Sequence, residues 1–260
     1  MQIVRIDDIG AQELSVYRTL RGNSFGSDGS FVADSPRVVS ALLQAGIEFR
    51  SLLCTQDYFE ANRALIEGAL VPTIYLGERS ELEKITGHSI HHNVMAHAIR
   101  PEDTPLEDMP QRVVMLAGLS NMENVGAIAR SAAAMGVGGY IVPRKGPHPY
   151  GRRAVRVSTG HITRLSVHTY DDIVETLERL RAQGYLIVGA ETGSFSVPLS
   201  KFEIDSERWV LLMGNEEHGI AGEILELCDA VVHIEMQEGI KSLNVAVAAS
   251  ILMYRLGRSC

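Results

Sequence analysis

Cysteine is scarce. The 260 residues hold three, Cys54, Cys228 and Cys260, odd in number, widely spaced and without a CxxC. That pattern builds no disulfide framework, and a reducing cytoplasm is the expected location. Long apolar runs are missing as well; none approaches the ~18 residues that cross a bilayer. The N-terminal MQIVRIDDIGAQE carries two adjacent aspartates where a signal peptide would be basic and apolar. No membrane association is therefore expected. Common nucleotide signatures are absent too. GVGGY at 136–140 follows a helical pattern and lacks the third glycine of GxGxxG, and there is neither a GxxxxGKS/T nor a GxSxG. A Rossmann dinucleotide site, a P-loop and an α/β-hydrolase are thereby disfavoured.

A net charge of −8 argues against a generally basic nucleic-acid binder. Yet from Asn124 to Tyr170 there is no Asp or Glu at all. The same stretch holds seven cations: Arg130, Arg144, Lys145, Arg152, Arg153, Arg156 and Arg164. Phosphates suit such a localised basic surface; a solvated face that happens to lack acids is the plainer reading.

Strand and helix patterns alternate along the chain. Near the N-terminus, Phe31 to Ala33 reads as a strand, and Ser35-Pro36 as the cap and first residue of a helix that stops at Gly46. A strand, a helix and another strand follow, then a capping box at Ser80–Glu83. These form an α/β domain over 1–100. His88, His91, His92 and His97 crowd its last stretch. No cysteine completes a zinc spacing, so a loop or strand with imidazoles on polar partners, RNA among them, is expected rather than a metal site. PEDTPLEDMP, 101–110, is acidic and rich in proline and reads as a linker. A second domain spans 111–260. Its strands are apolar throughout, as in a parallel sheet covered on both faces. Ligands then bind beyond the strands' C-terminal ends, in the loops after Leu119, Gly189, Met213 and Met236.

Those loops carry particular residues. NMENVGAIARSAAAMG, 121–136, is a small-residue helix with Asn124 as its expected N-cap, Gly136 as its stop and Arg130 in its middle. Glu191-Thr192-Gly193 follows YLIVGA, and GNEEHG follows WVLLM. QEGIKSLN opens a second small-residue helix, NVAVAAS, with Ser242 and Asn244 as capping types. Two such helices imply close backbone contact, either with a ligand or across a subunit interface. Of the adjacent Glu216 and Glu217, only one is expected to face a pocket.

Together, NMENVGAIARSAAAMG, LLMGNEEHGI and IEMQEGIKSLNVAVAASI resemble, in order, the three signature motifs of the TrmH (SpoU) branch of SPOUT RNA methyltransferases. RRAVRVSTGH resembles the segment between the first two, and the N-terminal unit is similar to a ribosomal-protein-like RNA-binding domain. The resemblance implies an α/β protein with a C-terminal parallel-sheet methyltransferase domain tied in a trefoil knot, and a smaller N-terminal RNA-binding domain. It implies S-adenosylmethionine as cofactor, 2′-O-methylation of ribosomal or transfer RNA, and a homodimer. By motif position it implies catalytic roles for Asn124, Arg130, Glu216, Ser242 and Asn244. Thr192, Gly193, Gly214, Asn215, Ile234, Met236, Ser242 and Leu243 would hold the cofactor. Arg144, Lys145, Arg152, Arg153 and Arg156 would grip RNA phosphates. Two departures stand out: Glu235 where the family has proline, and a glycine displaced by one place to Gly239. They leave a non-catalytic RNA-binding or ribosome-assembly factor on the same fold as the alternative.

Overall fold

A computed structural model describes residues 1–18, 25–26, 28–86 and 93–257. In chain order the elements are β1 (Gln2–Arg5), α1 (Ser15–Arg18), β2 (Ser30–Asp34), α2 (Pro36–Gln44), β3 (Phe49–Cys54), α3 (Gln56–Gly68), β4 (Thr73–Leu76), α4 (Arg79–Thr86) and β5 (Val94–Ile99). There follow β6 (Arg112–Leu116), α5 (Met122–Ala134), β7 (Gly139–Pro143), α6 (Arg152–Val157), β8 (Ser166–Tyr170), α7 (Ile173–Ala182), β9 (Leu186–Ala190), β10 (Val197–Pro198), β11 (Trp209–Met213), α8 (Gly222–Leu225), β12 (Ala230–His233) and α9 (Val245–Leu256). Two compact units result: one takes Met1–Glu102 and Tyr150–Thr163, the other Asp103–Pro149 and Arg164–Cys260.

The first unit has a five-stranded sheet, ordered β1-β4-β3-β5-β2. The chain leaves β2 through Ser35, whose hydroxyl accepts the Val38 N–H, with Pro36 at the first helical position. The capping box lies two residues earlier than expected. It is Glu81 that returns its carboxylate to the Glu78 N–H, at 2.7 Å, so Ser80 sits inside α4. His97 lies in β5, edge-on to Tyr17 with ring centroids 6.4 Å apart. Burial lowers its pKa. His88, His91 and His92 fall outside the described residues.

Segment 150–163 belongs by its contacts to this unit, although its place in the sequence puts it among the later strands. Tyr150 packs edge-on to Phe31 at 5.5 Å. Arg152 forms an ion pair with Asp34, which is 5% exposed, and Arg156 approaches the same carboxylate at 3.9 Å.

In the second unit seven strands run parallel, in the order β10-β12-β9-β11-β6-β7-β8. β11, which follows β9 in the chain, inserts between β9 and β6. β12 then pairs with the other edge of β9. A knot is a matter of threading rather than of strand order, and this order is consistent with one. The central strand WVLLM is buried at every position, as a strand covered on both faces must be. The proline-rich stretch 101–110 is not a free tether. Leu106 and Met109 enter the core beside Val113, Tyr185 and Ile187, and the Tyr185 hydroxyl donates to the Met109 carbonyl at 2.7 Å. Leu106 and Met109 are the apolar residues among those acids, and the acids mask them in the sequence.

The first small-residue helix starts earlier than expected. Asn121, not Asn124, is its N-cap, accepting the Glu123 N–H at 2.7 Å. Gly136, at φ 73°, lies just past the last turn, in the conformation that favours glycine. α5 packs against α9, and their small residues let the helices approach closely enough for Ser250 to donate to the Ser131 hydroxyl at 2.8 Å.

Candidate active site

Parallel strands of the second unit end together, and their loops converge there. The loops after β9, β11 and β12 enclose a cavity of about 360 Å³. Thr192 lines it from the first loop, and Gly214, Asn215, Glu216 and Glu217 from the second, so both adjacent glutamates face it where only one was expected. Ile234, Met236, Ser242, Leu243 and Asn244 line it from the third. Gly214 must be glycine: a Cβ there would lie 2.5 Å from the Gly219 carbonyl carbon. Gly193 does not line the cavity; it lies beneath the ring of Phe195.

Asn124 sits behind the cavity, 9% exposed, in a chain of polar contacts. Its amide nitrogen donates to Glu216 Oε1 at 2.9 Å, and its oxygen accepts from Asn244 Nδ2 at 3.1 Å. Asn244 in turn caps α9, accepting the Ala246 N–H at 3.0 Å. One contiguous chain thus joins the three sequence segments that stood out separately. Glu216 also accepts the N–H groups of Ser120 and Asn121, at 3.0 and 3.1 Å. Partial burial raises its pKa, but these donors and the Asn124 amide outweigh that and hold it below the ordinary carboxylate range. A carboxylate saturated with donors is a poor base; its work is to fix the loop.

Arg130 stands apart from this chain. It is exposed on α5, and its guanidinium makes no hydrogen bond or ion pair with any described residue. The other cations divide. Arg144 is engaged by Asp171, both carboxylate oxygens lying 2.9 Å from Nε. Arg152 is held by Asp34, with 23% of its side chain exposed, whereas Arg153 is exposed and Arg156 is 55% exposed. Lys145 is exposed and has no partner among the described residues.

Three residues that the sequence reading did not single out belong to the cavity wall: Glu191, His233 and Lys241. Glu191 accepts the Thr192 N–H at 2.9 Å and the Ile220 N–H at 2.9 Å, clamping the loop after β9 to the end of the loop after β11. The signal was its place at the C-terminal end of an apolar strand. Glu235 accepts the Ser200 N–H at 3.2 Å, so a carboxylate–amide bond steadies the backbone between Ile234 and Met236. Gly239, at φ 87°, forms the turn in which the Ile240 N–H meets the Gln237 carbonyl at 3.1 Å.

Comparison with known proteins bears on this arrangement. Residues 111–254 match the model of the SpoU rRNA Methylase family. A putative TrmH family tRNA/rRNA methyltransferase of Staphylococcus saprophyticus is 33% identical over 58% of the chain, a match spanning 60% of that relative's length. The 23S rRNA (guanosine-2′-O-)-methyltransferase RlmB of Acinetobacter baylyi is 29% identical over 72% of the chain and 78% of its own. Among solved structures, the SpoU methyltransferase AviRb of Streptomyces viridochromogenes, in complex with AdoMet, superposes with a TM-score of 0.80 at 26% identity, covering 95% of this chain and 98% of its own. The family match covers more than half of the chain, including the three convergent loops and both small-residue helices, and the chain belongs to the SpoU rRNA Methylase family.

Proposed function

We propose that this chain is an S-adenosylmethionine-dependent RNA methyltransferase acting on a ribose 2′-hydroxyl of ribosomal or transfer RNA, as a homodimer. The observation that carries the reading is the polar chain Glu216–Asn124–Asn244. It joins the cavity to the helix that bears the unpartnered Arg130.

The residues fit the cofactor. The cavity, about 360 Å³, falls within the usual size range for a small-molecule pocket. Its wall carries Glu191, Glu216 and Glu217, suited to an ammonium and a sulfonium, and Lys241, suited to a carboxylate. The bound cofactor supplies a methyl group activated on sulfur. Gly214, Ile234, Met236 and Leu243 would hold it, with Thr192 at the border. The protein's task is then alignment of the attacking oxygen, an effect worth roughly 7–11 kcal/mol at best. A guanidinium such as that of Arg130 acts as a hydrogen-bond donor rather than a base. It would engage the phosphate beside the target ribose and stabilise charge developing on the 2′-oxygen. Lys145 would extend that grip on its own unit, and Arg153 and Arg156 would contact RNA phosphates from the other. The 2′-O position rests on the activity named for the Acinetobacter relative.

Val247, Ile251 and Tyr254 support the homodimer. They repeat at helical spacing along α9 and are 49, 38 and 51% exposed, an apolar stripe that a second copy would cover. The two departures from the family pattern do not favour a non-catalytic factor. Glu235 is tied to Ser200, and Gly239 keeps its positive φ.

Calorimetry with S-adenosylmethionine, followed by transfer of labelled methyl to total RNA, tests the proposal. Methylated positions should resist alkaline cleavage, since the 2′-oxygen is blocked. Absence of cofactor binding would leave the RNA-binding factor; label on alkali-sensitive nucleotides would refute the 2′-O assignment.

A further inference from the structure

Phe195 has no part in the site so far described, yet it is placed with care. Its ring is 60% exposed, on the loop between β9 and β10. It does not hang free. A Cβ on Gly193 would lie 2.5, 2.8 and 3.1 Å from ring atoms, so the ring edge rests directly against Gly193. Ser196 closes the loop, accepting the Gly193 N–H at 3.1 Å and donating to the Gly193 carbonyl at 2.7 Å. The same hydroxyl lies 2.8 Å from His233 Nδ1. Its one proton is already given to Gly193, so His233 Nδ1 must be the donor in that contact. Thr192, beside Gly193, and His233 both line the cavity. The ring is thus seated on a braced loop next to the cavity wall.

Among the described residues, the exposed large aromatics are Phe195 and Tyr254. Tyr254 continues the stripe of α9. Phe195 is flanked by Ser194 and Ser196 and has no aromatic or cationic neighbour among the described residues. A protein partner needs several hundred Å² of surface, more than Phe195 and the nearby Val197, 39% exposed, supply. A nucleic-acid base needs only one π-face.

We propose that Phe195 is a stacking platform for a base of the RNA substrate beside the cofactor cavity. The proposal rests on the RNA methyltransferase reading and adds to it a residue that selects how the substrate strand is presented. Stacking on an aromatic side chain is sequence-tolerant and strong enough that its loss weakens binding roughly 5- to 150-fold.

The test compares Phe195→Ala, Phe195→Leu and Phe195→Tyr in the full chain. Ala and Leu should raise the KM for RNA within that range, and Tyr should restore it. S-adenosylmethionine affinity by calorimetry and the melting temperature should not change. Phe195→Trp adds a surface indole to a chain whose one tryptophan, Trp209, is buried. A mixed-sequence single-stranded RNA of about ten nucleotides should quench it, and S-adenosylmethionine alone should not. Quenching by the cofactor alone, or by self-association in the absence of RNA, would overturn the platform, as would a Phe195→Ala enzyme with unchanged KM. Wild-type protein that transfers no methyl group while Phe195→Trp is still quenched by RNA would overturn the enzyme reading and leave the platform standing.

Discussion

The side-chain amide of Asn124 is shared between two partners, Glu216 at 2.9 Å and Asn244 at 3.1 Å. Each partner comes from a different loop, so one buried amide sets the spacing of both. Asn124→Ala removes a donor and an acceptor together. The expected cost is about 1–2 kcal/mol of stability, read as a lower melting temperature, with methyl transfer falling by roughly tenfold or more. Acidification should act on the same chain. Glu216 has a depressed pKa, so its contribution is present above the ordinary carboxylate range and is lost as pH falls through the folded value. Glu216→Gln should blunt that acid sensitivity in a pH series of melting curves.

Arg130 lies outside every hydrogen bond and ion pair of the described residues, so its replacement leaves the fold nearly untouched. Arg130→Lys should stay within about 0.5 kcal/mol of wild type in stability and bind S-adenosylmethionine normally. Its transfer rate should drop at least about tenfold, because an ammonium cannot reproduce a two-pronged contact with phosphate. Near-normal turnover in single-turnover assays would remove the guanidinium from the mechanism.

Glu235 stands where a rigid proline was expected, and its contact with the Ser200 N–H does the steadying instead. Hydrogen bonding from Ser200 and from its own amide holds its pKa below the ordinary range. The clamp is therefore intact above that range and lost only as pH falls through the lowered value. Glu235→Ala should raise the KM for S-adenosylmethionine several-fold, leave kcat nearly unchanged and speed hydrogen exchange at the Ser200 amide. A change in kcat alone would contradict this division.

Two neighbouring arginines should separate by function. Arg152 forms an ion pair with the buried carboxylate of Asp34, so Asp34→Ala, which breaks a partly buried pair, should cost about 3 kcal/mol. Arg153 is exposed. Arg153→Glu should preserve the melting temperature, weaken RNA binding and reduce the slope of log affinity against log salt by about one or more. Equal loss of stability in both variants would show that neither serves RNA.

Ile251→Asp, in the middle of the exposed stripe of α9, should convert a dimer to a monomer in sedimentation velocity with little loss of secondary structure. A monomeric wild type would leave the stripe without the occupant assigned to it.

The sheet of the second unit was legible because its inner strands β9 and β11 are apolar without interruption, and the loops with chemistry follow directly from strand ends. Gly136 announced its helix boundary through residue type alone, whereas Ser242 and Asn244 were both offered as caps and the structure selects Asn244. Asn124 misled for the same reason: Asn121 and Asn124 are equally good caps in sequence, and only tertiary partners decide between them. The edge strands β1 and β10 were missed because short edges carry little periodic signal. Leu106 and Met109 looked like linker because burial there depends on a sheet built later in the chain. Glu191 and Lys241 lay in loops already marked as important, but nothing local distinguishes a loop residue that faces a cavity from one that faces water.

The segment carrying Tyr150, Arg152 and Arg156 gives this chain an unusual genetic grammar. The N-terminal unit is not one continuous stretch of sequence; a strip of it, Tyr150–Thr163, lies within the stretch that builds the other unit. A single recombination event near residue 102 would hand a new host a domain lacking the ring that covers Phe31 and the cations that neutralise Asp34. Exchange of this unit between lineages would have to be a double crossover, or be followed by repair at Phe31 and Asp34. Those two positions are where natural or engineered chimaeras of the protein should show compensating changes first.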